Sequence, residues 1–236
     1  MSSKNQYKKK NVKSKKSQRV HASWDGQGTI SNTQQSIPRS VGLVISDRYR
    51  TGLRYWKMVS FNLAAVNTAA VRFSPSNAYD VDPLVGGTNM SGFIEMAGFY
   101  NRYRVLASKL KCEITNASTA TPIVVITCPL NDDPGSTPTS AAILSWKEQP
   151  YAVSKTVGLT GSPVTTIDNR MSTEKIFGSK MALFDDAFQA YTTNSPGNNW
   201  FWAIGVYSLA TTSANIQICV TIEVDVEFFD RRVVFQ

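Results

Sequence analysis

Apolar and polar residues alternate strictly near the C-terminus, which is the pattern of a strand buried on one face. Every second residue from Ile216 to Phe228 is apolar, and polar or acidic residues and one cysteine fill the positions between them. The segment Tyr103–Thr115 repeats this alternation with one break at Ser108, and its apolar face is formed by Leu106, Leu110, Cys112 and Ile114. Both segments therefore predict long strands with one buried face and one solvent-exposed face.

Further strands are predicted where β-branched and aromatic residues lie between turn residues. These segments are Tyr55–Leu63, Pro122–Pro129, Tyr151–Val157, Val164–Met171 and Trp200–Ser208. Turn-forming residues separate them, as in SPSN at 74–77, NDDPGSTP at 131–138, TGSP at 160–163 and NSPGNN at 194–199. Three stretches predict short helices, the last with Ser172 as a candidate N-cap: Met90–Tyr100, Ser140–Glu148 and Ser172–Leu183.

Many strands and few helices predict an all-β fold of two antiparallel sheets. The eight-stranded jelly roll is one such sandwich, although composition alone does not separate it from the others. A length of 236 residues suits one such domain. We therefore predict a jelly-roll domain over residues 39–236, preceded by a disordered basic arm (residues 1–20) and a polar linker that continues to residue 38.

All of the excess charge lies in the arm. Eight of the 25 lysine and arginine residues fall within residues 1–20, where there is no acid, and the other 17 are balanced by 17 acidic residues. The arm contains almost nothing apolar, so it cannot bury enough surface to offset the entropy of ordering. The cationic residues are Lys4, Lys8, Lys9, Lys10, Lys13, Lys15, Lys16 and Arg19.

Such a charge density predicts binding to nucleic acid, because lysine and arginine displace counterions from phosphates without reading sequence. The alternative is a tail that only increases solubility. Tyr7 is the single aromatic ring of the arm, so we expect contacts with the phosphate backbone and not stacking on bases. The run KKKNVKSKK also has the composition of a nuclear import signal.

The residues needed for common catalytic and cofactor sites are missing from the sequence. His21, in the linker, is the only histidine, and Cys112, Cys128 and Cys219 are too scattered for a zinc site, so we read them as reduced core thiols. Neither a GxxxxGK(S/T) phosphate loop nor a GxGxxG turn occurs. We therefore predict no cofactor and no enzymatic activity. No window is apolar enough to predict membrane insertion or a signal peptide, so we expect a cytosolic or nuclear location.

Paired carboxylates leave two alternatives open. Asp132 and Asp133 are adjacent in a loop rich in Pro and Gly, which makes them candidate calcium ligands, although such acids usually form solvated turns. Glu223, Asp225 and Glu227 line one strand face, and a glycosidase would need a pair of this kind. We consider the glycosidase the weakest of the functional hypotheses.

Three segments resemble capsid proteins of circular single-stranded DNA viruses that encode a Rep initiator. The segment GFYNRYRVLASKLKCEITN (98–116) is similar to their Tyr-x-x-Tyr-x-Val lead into a core strand. The stretch 194–207, with Pro196 before Trp200 and Trp202, and the closing FFDRR also resemble that group. The jelly roll of these coats is similar to that of satellite and tombusvirus-type RNA virus coats. The arm departs from the circovirus pattern in holding one arginine among seven lysines.

The resemblance implies a T=1 icosahedral shell of roughly sixty copies whose arms bind the viral genome, with DNA favoured over RNA. It implies a location in the virion, and in the host nucleus during assembly. A host import receptor and a cell-surface receptor are further expected partners, with receptor contacts on loops near residues 74–90, 131–140 and 194–199. The alternative is a lectin-like β-sandwich binding module with a basic nuclear-targeting tail.

Overall fold

The computed structural model describes residues 46–63, 67–180, 184–210 and 214–232, all within the unit Val44–Gln236. The arm and the linker lie outside the described residues. The described part of the chain contains nine strands and three short α-helices, joined by loops and by 3-10 segments such as Trp146–Glu148 and Asp186–Phe188. Each of these helices is too short to cross a lipid bilayer.

The first sheet contains the two strands whose alternation is clearest in the sequence. All seven predicted positions from Ile216 to Phe228 are buried, which confirms that prediction. The order across this antiparallel sheet is β1-β9-β3-β6, and β7 also pairs with β3. The strands are β1 (Arg48–Asn62), β3 (Tyr100–Asn116), β6 (Thr165–Ser172), β7 (Gln189–Tyr191) and β9 (Asn215–Arg231).

The second sheet is antiparallel with the order β2-β8-β4-β5. Its strands are β2 (Thr68–Phe73), β4 (Ile123–Leu130), β5 (Val153–Val157) and β8 (Phe201–Ser208). Strands far apart in sequence are neighbours in both sheets, as in the Greek-key connections of a jelly roll. The predicted eight-stranded jelly roll is therefore confirmed, and the three-residue β7 is an addition to it.

Large side chains from both sheets form the core between them. Phe93 and Tyr103 meet edge to face with ring centroids 4.9 Å apart, and Trp200 and Trp202 do so at 5.3 Å. Ser108 breaks the apolar alternation because its hydroxyl has two partners in the core. It accepts a hydrogen bond from Trp202 Nε1 at 3.0 Å and donates one to the Glu223 carbonyl at 3.1 Å. Pairing of this kind removes the penalty of a buried hydroxyl.

A second apolar cluster covers the outer side of the four-stranded sheet. Helix α2 (Ser140–Ser145) and the following 3-10 turn (Trp146–Glu148) place Ile143 and Trp146 against β4 and β8. A Cβ atom on Gly205 would lie 2.7 Å from Ile143 Cγ2 and 3.1 Å from the Trp146 ring, so only glycine allows this close approach. The two middle strands are thus buried on both faces, whereas the five-stranded sheet keeps an accessible side, here called the outer face.

The predicted helical stretch Ser140–Glu148 is confirmed over its whole length, as helix α2 and the 3-10 turn that follows it. The stretch Met90–Tyr100 is helical only in part, and so is the described portion of Ser172–Leu183, whose residues 181–183 lie outside the described residues. Helix α1 covers Phe93–Ala97 and helix α3 covers Thr173–Phe177. Ser172 accepts a hydrogen bond from the Lys175 backbone N–H at 3.2 Å, which confirms the predicted N-cap. Helix α3 then ends because Gly178 adopts a left-handed conformation with φ of 67°, a common helix stop.

Two predicted core positions are wrong. The pairing of β3 with β9 shifts register between Val105 and Ala107, which removes Leu106 from the buried face and places Val105 and Tyr103 there instead. A β-bulge has this effect because one extra residue reverses the side-chain alternation. Cys219 is only partly buried, since it lies on the outer face of β9, whereas Cys112 and Cys128 are buried as predicted.

Candidate functional surfaces

The predicted nucleic-acid-binding residues of the arm all lie outside the described residues: Lys4, Lys8, Lys9, Lys10, Lys13, Lys15, Lys16 and Arg19. Their role stays a prediction. The surfaces that can be described are the outer face, one end of the sandwich and the loops that connect the sheets.

Asp132 and Asp133 follow β4 in an exposed loop. The Asp133 carboxylate lies 2.6 Å from Arg72 Nε, and its Oδ1 accepts the Gly135 backbone N–H at 2.8 Å. Asp132 Oδ1 accepts the Asp133 backbone N–H at 2.9 Å. No group of three or more His, Cys, Asp or Glu side chains suited to a metal occurs among the described residues. The two acids therefore shape a turn and hold Arg72, and calcium binding stays a prediction.

The three acids on the outer side of β9 lie between two basic strands. Asp225 accepts a hydrogen bond from Arg50 Nε of β1 at 2.6 Å, and Glu227 accepts one from Arg104 Nε of β3 at 2.7 Å. The hydrogen bond and charge of Asp225 raise the pKa of Arg50. Two of the three carboxylates considered for glycoside chemistry thus join neighbouring strands through arginine.

Exposed aromatic side chains gather at the end of the five-stranded sheet where β1 and β3 begin. Phe184 and Tyr191 are 70% and 51% exposed, and the Arg102 guanidinium lies 4.7 Å from the Tyr191 ring. Arg104 lies 5.7 Å from the Phe184 ring. We call this surface the end patch and define it by Arg102, Arg104, Phe184 and Tyr191. Aromatic and arginine side chains of this kind are enriched in protein interfaces.

Two of the loops expected to carry receptor contacts are tied to each other. Asn77 Nδ2 donates a hydrogen bond to Ser195 Oγ at 2.8 Å. The Tyr103 hydroxyl lies 3.1 Å from both the Asn77 side-chain oxygen and the Asn194 carbonyl. Burial raises the pKa of Tyr103, which keeps this hydroxyl a donor. The turn at 74–77 is itself buried and fixes the position of the loop 194–199, and receptor binding on these loops stays a prediction.

A fully buried carboxylate anchors the loop between β2 and β3. Asp82 is 0% exposed and pairs with Lys57 Nζ of β1. It also accepts hydrogen bonds from the Tyr55 hydroxyl at 3.3 Å and the Leu84 backbone N–H at 3.2 Å. Burial, with a contribution from Asp82, raises the pKa of Tyr55 to about 12. The loop is thus joined to the edge strand β1 through one polar cluster.

No protein-family model and no curated protein matches this sequence. Solved structures are similar to it. A nodavirus VLP from the giant freshwater prawn Macrobrachium rosenbergii is 15% identical, with 91% of this chain and 98% of that chain covered and a TM-score of 0.48. Cocksfoot mottle virus is 13% identical over 79% and 97%, at 0.47. The 60-mer BFDV capsid protein is 11% identical over 81% and 99%, at 0.46.

These structural neighbours are viral capsid proteins, and they include a circovirus capsid and RNA virus coats. The sequence resemblance predicted neighbours of both kinds. At 11–15% identity the likeness is one of fold.

The three free thiols differ in accessibility, and this difference predicts their reactivity. Burial raises the pKa of Cys112 to about 12 and that of Cys128 to about 11, whereas Cys219 lies partly exposed on the outer face. Because the thiolate is the reactive form, we expect rapid labelling of Cys219 alone by a neutral maleimide at pH 8. Peptide mapping should find Cys112 and Cys128 modified only after unfolding. Equal rates for the three thiols would contradict this arrangement.

Proposed function

We propose that this protein is a viral capsid subunit that assembles into a closed icosahedral shell and packages a nucleic-acid genome through its basic arm. The observation that carries the proposal is the distribution of charge. Residues 1–20 hold eight positive charges, and the remaining 216 residues are balanced between 17 basic and 17 acidic side chains. A neutral body can pack against copies of itself without net repulsion, while the arm binds a polyanion.

The body has surfaces suited to assembly. The end patch combines exposed aromatic rings with two arginines, and the four-stranded sheet is covered on its outer side by its own helix. Closed shells use the same patches on every copy, because symmetry repeats each contact. We infer a T=1 shell of about sixty copies, in which the end patch lies at contacts between subunits.

The arms of such a shell would carry much of the charge that the genome requires. Sixty arms of eight charges each bring roughly 480 positive charges inside the particle, which neutralises phosphates by counterion release. We propose single-stranded DNA as the genome in preference to RNA. The same lysine run would direct the subunit to the host nucleus for assembly through an import receptor.

Electron microscopy of the purified full chain tests the proposal directly. We expect uniform closed particles and an absorbance spectrum that shows bound nucleic acid. A lectin-like binding module would instead remain a monomer or small oligomer. Fields that show only monomers in the presence of nucleic acid would refute the capsid function.

Substitution in the end patch sharpens this test. Phe184→Ala with Tyr191→Ala removes the two exposed rings of the patch, so we expect the concentration needed for assembly to rise about tenfold or more. The matched control is Leu144→Ala with Val164→Ala, which shortens two exposed apolar side chains outside the patch. Sedimentation velocity measures the particle fraction, and thermal melting verifies the fold of each variant. Equal assembly by both double variants would remove the end patch from the subunit contacts.

A further inference from the structure

The outer face of the five-stranded sheet has an excess of positive charge, although the body as a whole has none. Residues 46–236 contain 16 basic and 16 acidic side chains. The strand register assigns eight of these cations and five of these acids to the outer face. The cations are Arg48, Arg50, Arg54, Arg102, Arg104, Lys109, Lys111 and Arg170, and the acids are Glu113, Asp168, Glu223, Asp225 and Glu227.

The body is therefore polarised, with a net charge of +3 on the outer face and −3 over all its other side chains. A net charge of one sign on a single sheet attracts a polymer of the opposite sign. Strand β1 of this same sheet, which begins at Arg48, is the first strand after the arm and the linker along the chain.

Two of these cations have no ion-pair partner within the described residues. Arg54 and Arg170 are exposed and form no salt bridge there, whereas Lys109 lies 3.7 Å from Asp168 and Lys111 lies 2.6 Å from Glu113. Arg54 and Lys111 lie one row apart on either side of β9, since Arg54 pairs with Glu223 and Lys111 with Thr221. The hydrogen bond to Glu113 raises the pKa of Lys111, and the nearby charge of Arg54 opposes this rise. Nearby like charges on a surface gain stability when an anion lies between them.

Arg54 and Arg170 belong to one row of outer-face side chains that crosses the sheet from β1 through β9 and β3 to β6. Arg54 pairs in register with Glu223, Glu223 with Lys109, and Lys109 with Arg170. In the next row, Gly52 and Ala107 have little or no side chain, which leaves a shallow depression of about 310 Å³. Its charged lining residues are Lys109, Arg170, Glu223 and Asp225. A phosphate group would therefore contact Lys109 and Arg170 at the side of the depression away from Asp225, which Arg50 already neutralises.

Trp56 supplies an aromatic platform next to these cations. Its side chain is 60% exposed, and β1 places it in the same row as Lys111. Trp146, Trp200 and Trp202 are all buried, so Trp56 is the one exposed tryptophan among the described residues. An exposed ring beside cations on a sheet is the combination that binds single strands, since bases stack on the ring and phosphates contact the cations.

We propose that the outer face is a second nucleic-acid-binding surface, in which Arg54, Lys111 and Arg170 contact phosphates of a single strand and Trp56 stacks on a base. The proposal rests on the proposed capsid function and adds a second surface through which the subunit would bind the genome. The arm would hold the backbone by charge alone, whereas the outer face would orient the strand through stacking. Because arm and sheet belong to one chain, binding by the arm raises the local concentration of nucleic acid at the sheet.

The test measures binding of a short labelled oligo-dT by the full-length chain over a range of salt concentrations. Arg54→Ala with Arg170→Ala should lower the affinity roughly 25-fold at 0.1 M salt, because each single-strand phosphate contact contributes about 0.7 to the log–log salt slope. The slope itself should fall by about 1.4. The matched control is Lys147→Ala with Lys180→Ala, which removes two exposed charges outside the outer face and should have little effect.

The Trp56 substitutions separate stacking from charge. Trp56→Ala should lower affinity about fivefold or more without changing the salt slope, whereas Trp56→Phe should keep most of the affinity. Bound oligo-dT should also slow maleimide labelling of Cys219, which lies on the same face one row from Trp56. A site confined to the arm would leave this labelling rate unchanged.

The outcomes separate this inference from the proposed function. Equal affinities for the outer-face variants and the Lys147/Lys180 control would overturn the inference and leave the arm and the capsid function intact. If the outer-face variants lose oligo-dT binding and the natural chain forms no particles, the binding surface is supported and the capsid function is rejected. If the Arg54/Arg170 variant alters sedimentation without nucleic acid and binds oligo-dT normally, the face is a contact between subunits and the inference fails.

Discussion

Replacing all eight cations of the arm by glutamine is expected to reduce nucleic-acid binding by orders of magnitude and to leave the fold intact. Each contact with single-stranded DNA adds about 0.7 to the log–log salt slope, so the slope should fall by up to roughly 6. Between 50 and 200 mM salt, six to ten such contacts account for about 10³- to 10⁵-fold in duplex binding, which indicates the scale of the loss. Filter binding of oligo-dT against salt measures it.

Two controls define the origin of this effect. A scrambled arm keeps the charge of residues 1–20 but changes its order, and it should bind like the natural chain because counterion release does not depend on sequence. The melting temperature of the glutamine variant should equal that of the natural chain, since the arm has almost no apolar residue to bury. An unchanged salt slope in the glutamine variant would exclude the arm from packaging.

The strands that the sequence predicts well are those with one solvent-exposed face. In β9 every second residue is buried between the sheets and the intervening ones carry charge, so the period of two is visible directly. The start of β1 was missed because the first seven residues, Arg48–Arg54, bury only Leu53, and arginines fill most of the outer positions. Strand pairing with β9 holds this segment extended, and local sequence does not reveal a distant partner.

Strand β2 was not predicted, and two helices are shorter than predicted, for a different reason. The β2 sequence TAAVRF interrupts the alternation at Ala70, which packs against the cluster formed with helix α2 on the outer side of the strand. The segment Met90–Tyr100 has helical composition, but Gly92 adopts a left-handed conformation with φ of 87° and Gly98 ends the helix before β3 begins at Tyr100, so α1 covers only Phe93–Ala97. Propensity is thus overridden by tertiary packing at β2 and by the backbone at the two glycines of α1.

The outer face could not have been recognised from the sequence. Its cations come from β1, β3 and β6, which are far apart in the chain and share one surface only through the order β1-β9-β3-β6. Arg54 and Trp56 were therefore not identified as candidate site residues. Glu223, Asp225 and Glu227 suggested a glycosidase because the sequence does not show the arginines that lie beside them in the sheet. The positive charge of the arm, in contrast, depends on composition alone, so it can be recognised without knowing the fold.

Lys57→Met is expected to destabilise the body more than any other surface-strand substitution considered above. It leaves the fully buried Asp82 carboxylate without its cation, and its remaining hydrogen-bond donors in the described part of the chain are the Tyr55 hydroxyl and the Leu84 backbone N–H. Breaking one side of a buried ion pair costs about 3–5 kcal/mol. For a domain of this size the melting temperature should fall by roughly 10 °C, as measured by circular dichroism without nucleic acid.

Restoring neutrality tests whether the unpaired charge is the cause. Adding Asp82→Asn to Lys57→Met replaces the carboxylate by an amide that still accepts the Leu84 N–H, so the double variant should be more stable than Lys57→Met alone. Lys147→Met removes an exposed lysine and should change the free energy of unfolding by less than about 0.5 kcal/mol. If the double variant were no more stable than Lys57→Met, loss of the Lys57 ammonium from its position 6.0 Å from the centre of the Phe73 ring would explain the effect instead. The loop between β2 and β3 would then be held by its backbone turns and by Asp80, which accepts two hydrogen bonds from Thr88.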